Sequence, residues 1–268
     1  MTIALVERSL EMAKPLKERV ALVTGSTSGI GLGIARALAG AGSAIVLNGF
    51  GAADEIEAER TRLARDFGVR VAYSAADMSK PEAIKDMIAD TLSSFGHLDA
   101  LIHCAAIHSS ANWETLAADE MLRVLNVNVV GSFLIAKAAA GAMRTRSAGA
   151  IVLTSSSNVI LGGTGGAAGL GGPAYVASKS AIIGLVRSLA NSLGPLGITV
   201  NGILPGVTET PMIANYTPEH RAAQKTRIPL RRIADPSDIA DVCLFLASPG
   251  ARYMTGECVI VNGGALFG

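Results

Sequence analysis

A short apolar run of strand length, Arg19-Val-Ala-Leu-Val-Thr24, passes without a spacer into Gly25-Ser-Thr-Ser-Gly29-Ile30-Gly31-Leu-Gly33, and a helical pattern through Ile34, Ala37 and Leu38 follows. Few chain conformations accommodate that order. A strand that turns through glycines into a helix aims the helix's unpaired N–H groups, and the positive end of its dipole, at whatever lies above the turn. The missing side chains let a pyrophosphate approach within hydrogen-bond reach, as in the opening of a dinucleotide-binding βαβ unit. The spacing is G-x-x-x-G-x-G, with Ser28 before Gly29, and departs from the G-x-G-x-x-G fingerprint. Taken alone, the stretch also suits a glycine turn without a ligand.

Strand and helix signals alternate from there to the end of the chain. Strands are expected at residues 44–47, 69–73, 98–105, 150–155, 198–204 and 258–261, and helices at 54–67, 81–95, 119–143, from Pro173 onward, and at 236–247. This alternation implies an α/β fold, a single Rossmann-like doubly wound parallel sheet with helices on both faces. With no composition break inside it, one domain is expected over residues 17–268, and residues 1–16 read as an N-terminal arm.

Composition narrows the partners. Lys+Arg 23 against Asp+Glu 22 leaves a net charge of +1, which supplies no basic surplus for nucleic acid or an anionic membrane. No apolar run approaches the ~18 residues of a membrane span. Glu7, Arg8 and Glu11 interrupt the apolar pieces near the N-terminus, so a secretory signal is not expected. Cys104, Cys243 and Cys258 are a sparse, odd set of thiols that points to a reducing, cytoplasmic setting.

The strongest chemical signal is Tyr175-Val-Ala-Ser-Lys179, in the opening turns of a helix that Pro173 begins and that carries an apolar face through Ile182, Ile183, Leu185, Val186 and Leu189. Residues four apart share a helix face, so phenol and ammonium lie together. A nearby cation favours phenolate, and the expectation is that Lys179 lowers the Tyr175 pKa toward neutrality and makes it a proton donor and acceptor. An isolated Y-x-x-x-K is common and usually inert.

In company it is specific. Thr24-Gly25-x-x-x-Gly29-Ile30-Gly31, Asn128, Ser156, Tyr175-x-x-x-Lys179 and Pro205-Gly206, in that order, resemble the short-chain dehydrogenase/reductase family from about residue 17 to the end. The first βαβ unit, with Ile45-Val-Leu-Asn-Gly-Phe-Gly51, is similar in particular to bacterial 3-hydroxybutyrate dehydrogenases, a likeness that fades after about Lys80. The resemblance implies hydride transfer between NAD(H) and a secondary alcohol or carbonyl. It makes Tyr175 the general acid/base and gives Lys179 a second role on the nicotinamide ribose. Ser156 would bind the substrate oxygen, with Ser155 or Ser157 as alternates. Asn128, with Asn126 as a rival, would relay protons through water to the lysine. Cofactor contacts would come from Gly25, Ser28, Gly29, Ile30, Gly31, Asn48, Asp77, Met78, Cys104, Tyr175, Lys179, Pro205, Gly206, Thr208 and Thr210. Asp77 would meet the adenine amine and Thr210 the carboxamide, although Asp77 also suits a turn. The end of the second strand, Asn48-Gly49-Phe50, carries neither the acid of NAD sites nor the arginine of NADP sites, and Ser28 is uncharged. NAD is therefore expected in preference to NADP, and Asn48→Asp is expected to sharpen that preference. Relatives commonly form tetramers, so a homotetramer through the long central helices is expected. The rival readings are an NADPH-dependent 3-oxoacyl reductase and a non-catalytic nucleotide-binding protein of the same fold.

Three departures from the family pattern bear on the site. His103-Cys104-Ala105-Ala106 stands in place of Asn-Asn-Ala-Gly; strand alternation separates His103 from Cys104, so a core or cofactor-flanking role is expected there and a metal site with His108 is not. Ser156 and Tyr175 are about six residues further apart than usual, the excess falling in the glycine-rich segment 162–172, which is expected to border the substrate and to be mobile without ligand. Asn262-Gly263-Gly264 replaces Asp-Gly-Gly, a structural variation. On the substrate side His108, Asn158 and Tyr216 replace the polar residues that hold a small carboxylate in 3-hydroxybutyrate dehydrogenases. A neutral or larger alcohol, cyclic or aromatic ones included, is expected, with only weak activity on (R)-3-hydroxybutyrate.

Overall fold

Strands such as Val20-Ala-Leu-Val-Thr24 and Gly149-Ala-Ile-Val-Leu-Thr154 are apolar at nearly every position, so both faces of any sheet they form must be covered. The computed structural model describes residues 14–163, 165 and 171–267. Among these, β1 (Val20–Thr24), β2 (Ala44–Asn48), β3 (Val71–Ser74), β4 (Ala100–His103), β5 (Gly149–Thr154), β6 (Ile198–Pro205) and β7 (Cys258–Val261) form one sheet in the order β3-β2-β1-β4-β5-β6-β7. Every pairing is parallel. The helices are α1 (Gly29–Gly40), α2 (Ala53–Phe67), α3 (Pro81–Phe95), α4 (Ala118–Leu125), α5 (Gly131–Met143), α6 (Asn158–Leu161), α7 (Pro173–Leu193), α8 (Pro218–Arg227) and α9 (Pro236–Ala247).

The two-residue period of the strands sorts the core into two layers. Ala21, Val23, Ile45, Leu47 and Ile102 pack with Ile34 and Leu38 of α1, Leu63 of α2, and Ile239 and Leu246 of α9. Leu22, Val46, Leu101, Ile151 and Leu153 meet α3, α5 and α7 through Ile84, Met87, Ile135, Ala139, Ile182 and Val186. Leu16, assigned from sequence to the arm, is buried with the first layer, and its N–H donates to the Ala41 carbonyl. Residues 1–13 of that arm lie outside the described residues.

The doubly wound sheet is the one expected, with shifts of one or two residues at several strand ends. Three features differ. The helix expected over 119–143 is α4 and α5 joined by a π turn, Asn126–Val130. The run Ala118–Arg146 is also long and apolar enough, by length and composition, to cross a membrane, against the expectation of no such stretch. Its composition has another cause: Ile135, Ala136, Ala139, Ala140 and Met143 are buried in the core. Finally, α6 and α8 were not foreseen. No residue of either is buried, so neither leaves an apolar period in the sequence.

Strand order reverses direction between β1 and β4, which opens a crevice at their carboxyl ends where ligands bind in such sheets. The chain's glycine turn, its serine cluster and the start of α7 all converge there.

Candidate active site

A cavity of about 480 Å³ occupies that crevice. It extends from the Gly25–Gly31 turn and the ends of β2 and β3, past residues 104–108 after β4, to the end of β5, the first turns of α7 and the segment after β6. Every site residue expected from sequence lines it except Asn128.

The glycine turn has the shape a pyrophosphate requires. Gly25 has φ +64, and a Cβ there would lie 2.8 Å from the Ala105 nitrogen; one on Gly31 would lie 2.2 Å from the Gly25 carbonyl oxygen. No side chain caps the start of α1 and no acid stands in its first turn, so its N–H groups and dipole remain available to an anion. Ser26 Oγ donates to the Val23 carbonyl at 2.6 Å and accepts the Asn48 N–H at 3.0 Å, tying the turn to β2. These residues fit the phosphates of a dinucleotide.

Asn48 is buried, and its side-chain amide donates to the carbonyls of Ser74 (3.1 Å) and Ala76 (2.9 Å). That corrects the expectation for Asn48→Asp. A carboxylate would face two carbonyl oxygens and disturb β3 before it could act on a cofactor phosphate. Asp77 lines the cavity while its Oδ1 accepts the Ser79 N–H at 2.8 Å, a turn contact that holds its carboxyl below the ordinary range.

At the other end, Tyr175 and Lys179 lie on the buried face of α7. The Lys179 ammonium donates to the Thr154 carbonyl at 2.8 Å and sits 5.9 Å from the centre of the Tyr175 ring. Burial pushes Lys179 down to about 8, with the Cys104 thiol opposing the shift. Burial also pushes the Tyr175 phenol above its ordinary value, partly offset by the Ser156 hydroxyl. The expectation of a depressed tyrosine is corrected here: helical spacing brings the ammonium near, but β5 captures it, and desolvation dominates.

The three serines are told apart by their partners. Ser155 Oγ donates to the Lys179 carbonyl at 2.7 Å, and the Ser157 N–H donates to the Pro205 carbonyl at 3.0 Å. Ser156 is the one whose hydroxyl eases the Tyr175 shift, and its Oγ accepts the Asn158 N–H at 3.2 Å. Asn128, in the π turn, accepts the Ile107 N–H at 2.8 Å and donates to the Ile107 carbonyl (2.9 Å) and Ser178 Oγ (3.0 Å). Ser178 Oγ in turn donates to the Tyr175 carbonyl at 2.7 Å. Asn128 thus fastens the wall after β4 to α7 from behind the cavity, while Asn126 is exposed. Thr154 and Ser178, which complete these links, carry no sequence signal beyond their place beside Ser155 and Lys179.

Thr208 Oγ1 donates to the Gly206 carbonyl at 3.0 Å and Thr210 Oγ1 to the Thr208 carbonyl at 3.3 Å, shaping the segment that follows Pro205. The His108 ring meets Tyr175 at a tilt of 52°, centres 4.8 Å apart, and burial lowers its pKa. Of the glycine-rich segment, 164 and 166–170 lie outside the described residues; Gly172 donates its N–H to the Ser109 carbonyl at 2.8 Å.

The chain belongs to the short-chain dehydrogenase/reductase family, whose members are oxidoreductases that use nicotinamide cofactors. The sequence profile of a family described as enoyl-(acyl carrier protein) reductase matches residues 25–265. The chain is 34% identical over 258 residues to a D-beta-hydroxybutyrate dehydrogenase of Rhizobium meliloti, covering 92% of this chain and 98% of that one. It is 34% identical over 249 residues to a 3-oxoacyl-[acyl-carrier-protein] reductase of Aquifex aeolicus, covering 93% and 98%. The crystal structure of a short-chain type dehydrogenase/reductase from Mycobacterium marinum superposes with a TM-score of 0.86 at 28% identity, over 96% of this chain and 98% of that one.

His103 accounts for one departure from the family pattern. Thr24 Oγ1 accepts the N–H groups of Cys104 and Ala105 (3.2 Å each), so its hydrogen points to His103 Nδ1 at 2.7 Å. That assigns the proton to Nε2, which has no partner among the described residues. Cys104 Sγ lies 3.2 Å from Thr154 Oγ1, its thiol pushed up to about 11 by burial. Burial, with the Lys179 charge second, pushes His103 down to about 3 from 6.5. The folded protein keeps this ring neutral while the unfolded chain takes up a proton below about pH 6.5, so stability falls as pH drops through that window. His103→Asn is expected to remove the slope. Between pH 7.5 and 4.5, urea unfolding should show the wild type losing roughly 2–3 kcal/mol more than the variant. Equal losses in the two would contradict a neutral, buried His103.

Proposed function

We propose that the protein is an NAD-dependent dehydrogenase/reductase that interconverts a secondary alcohol and its carbonyl compound. The observation that carries this reading is the convergence of Ser156, Tyr175 and Lys179 at one end of the cavity that begins at the glycine turn. A bound nicotinamide would supply the hydride in reduction and accept it in oxidation. The protein does the rest. Ser156 and Tyr175 hold the substrate oxygen, and the phenol gives a proton to it in reduction and takes one in oxidation. A phenol held above its ordinary value is a competent acid at neutral pH and a base only once ionised. Oxidation is therefore the direction that gains as pH rises. Lys179, buried and pushed down to about 8, is poised to exchange protons behind the tyrosine. Asn128 acts as a positioning residue through Ile107 and Ser178.

NAD is preferred because the only lysine or arginine among the described lining residues is Lys179, at the opposite end from Ser28, Asn48 and Phe50. A 2′-phosphate there would have no cation to pair with. The relative named as a 3-oxoacyl-[acyl-carrier-protein] reductase favours a second reading, NADPH-linked reduction of a carrier-bound acyl group. For assembly we propose a homo-oligomer, with exposed Leu122, Val130 and Phe133 of 118–143 at the contact; a monomer by light scattering would contradict it. The three free thiols suit a reducing cytoplasm.

Tyr175→Phe keeps the ring and removes the proton, so kcat should fall by ~10²-fold or more while NADH affinity, titrated by fluorescence, barely changes. Retention of more than about a tenth of wild-type kcat would contradict the assignment. In the same titration NADH should bind the wild type more tightly than NADPH. The reverse order would favour the acyl reductase.

A further inference from the structure

Beyond Tyr175 the cavity wall comes from Ile107 and His108 after β4, Asn158 of α6, and Met212, Ile213 and Tyr216 after β6. The last of these is held with unusual care. Its ring meets His220 edge-on, centres 4.3 Å apart at 69°, and His220 Nε2 lies 3.2 Å from Gln224 Nε2 one turn further along α8. Arg221, between them, donates to both carboxylate oxygens of Glu209 (2.6 and 2.7 Å) and to the Ile213 carbonyl (3.0 Å). Because α8 has no buried residue of its own, these contacts are what fix it against the cavity wall.

The polar groups on this wall are uncharged and available. The Tyr216 hydroxyl, the His108 ring and the Asn158 side chain have no hydrogen-bond partner among the described residues. Burial keeps His108 neutral near pH 7 and raises the Tyr216 phenol. Lys179, the one lining ammonium among the described residues, is engaged by the Thr154 carbonyl. A carboxylate entering here would be desolvated without a cation to pair with it, which is costly. An aromatic ring beside Met212 and Ile213 instead offers apolar surface and a favourable ring contact.

We infer that Tyr216 is the residue that determines specificity, and that the site takes an uncharged secondary alcohol or ketone built on an alicyclic or aromatic ring. The ring lies on the Tyr216, Met212 and Ile213 wall while the oxygen meets Ser156 and Tyr175. The assignment rests on the oxidoreductase reading above but can fail separately from it.

The test is binding to the full chain preloaded with NADH, read by nicotinamide fluorescence, with cyclohexanone against 4-oxocyclohexanecarboxylate. The neutral ketone should bind at least ~tenfold more tightly. Tyr216→Ala should weaken it by ~tenfold with NADH affinity nearly unchanged, Tyr216→Phe should recover most of that loss, and His220→Ala should fall between. Tighter binding of the carboxylate, no binding of the neutral ketone, or an unaltered constant in a Tyr216→Ala protein that still holds NADH would each overturn the inference. Failure of the wild type to bind NADH would instead contradict the oxidoreductase reading.

Discussion

The hydrogen bond from the Lys179 ammonium to the Thr154 carbonyl, 2.8 Å long and shielded from solvent, is the contact on which the site's geometry depends. A buried ammonium without an acceptor would be expensive, so α7 can seat on β5 in few ways. The return bond from Ser155 Oγ to the Lys179 carbonyl closes the pair from the strand side. With helix and strand joined at that point, Tyr175 one turn earlier and Ser156 one residue later are brought together at the cavity end. Ile107, Asn128 and Ser178 then brace the same turn of α7 from the opposite side.

The two ends of the cavity solve different electrostatic problems. At the glycine turn the backbone N–H groups and helix dipole are left uncapped, with no side chain in the way of an anion. At the catalytic end it buries one cation and one phenol, and desolvation moves both toward their neutral forms. A buried, neutral His103 beneath them is tolerable because Thr24 supplies its Nδ1 with a donor. Among the described residues, the cavity wall between α6 and α8 carries no charge of its own, a contrast with both ends.

Much of this was legible in the residues, and the exceptions have physical causes. Continuous apolar strands and amphipathic helices wrote the doubly wound sheet plainly, because two-sided burial leaves a pattern that a linear reading detects. The start of α7 was readable from Pro173 and the Tyr175–Lys179 spacing. The Tyr175 shift was not, since spacing reports proximity and not which acceptor the ammonium finds. Asn48 lines the cavity, as its place at a strand end suggested, but the two carbonyls near β3 that hold its amide leave no mark in the sequence. Ser156 could be separated from its neighbours only through their partners. The α8 helix, with no buried residue, had no apolar period to betray it, and so the support behind Tyr216 emerged only in three dimensions.

The central claim is that this chain places a substrate carbon against a nicotinamide and moves a proton at Tyr175. Its most direct test follows the label. Cyclohexanone incubated with the enzyme and NADH carrying deuterium at both reactive positions of the nicotinamide carbon should yield cyclohexanol with one deuterium on the carbinol carbon, read by mass spectrometry. Cyclohexanol free of deuterium would contradict hydride transfer from the cofactor, and so would the absence of any alcohol from a protein that binds both compounds.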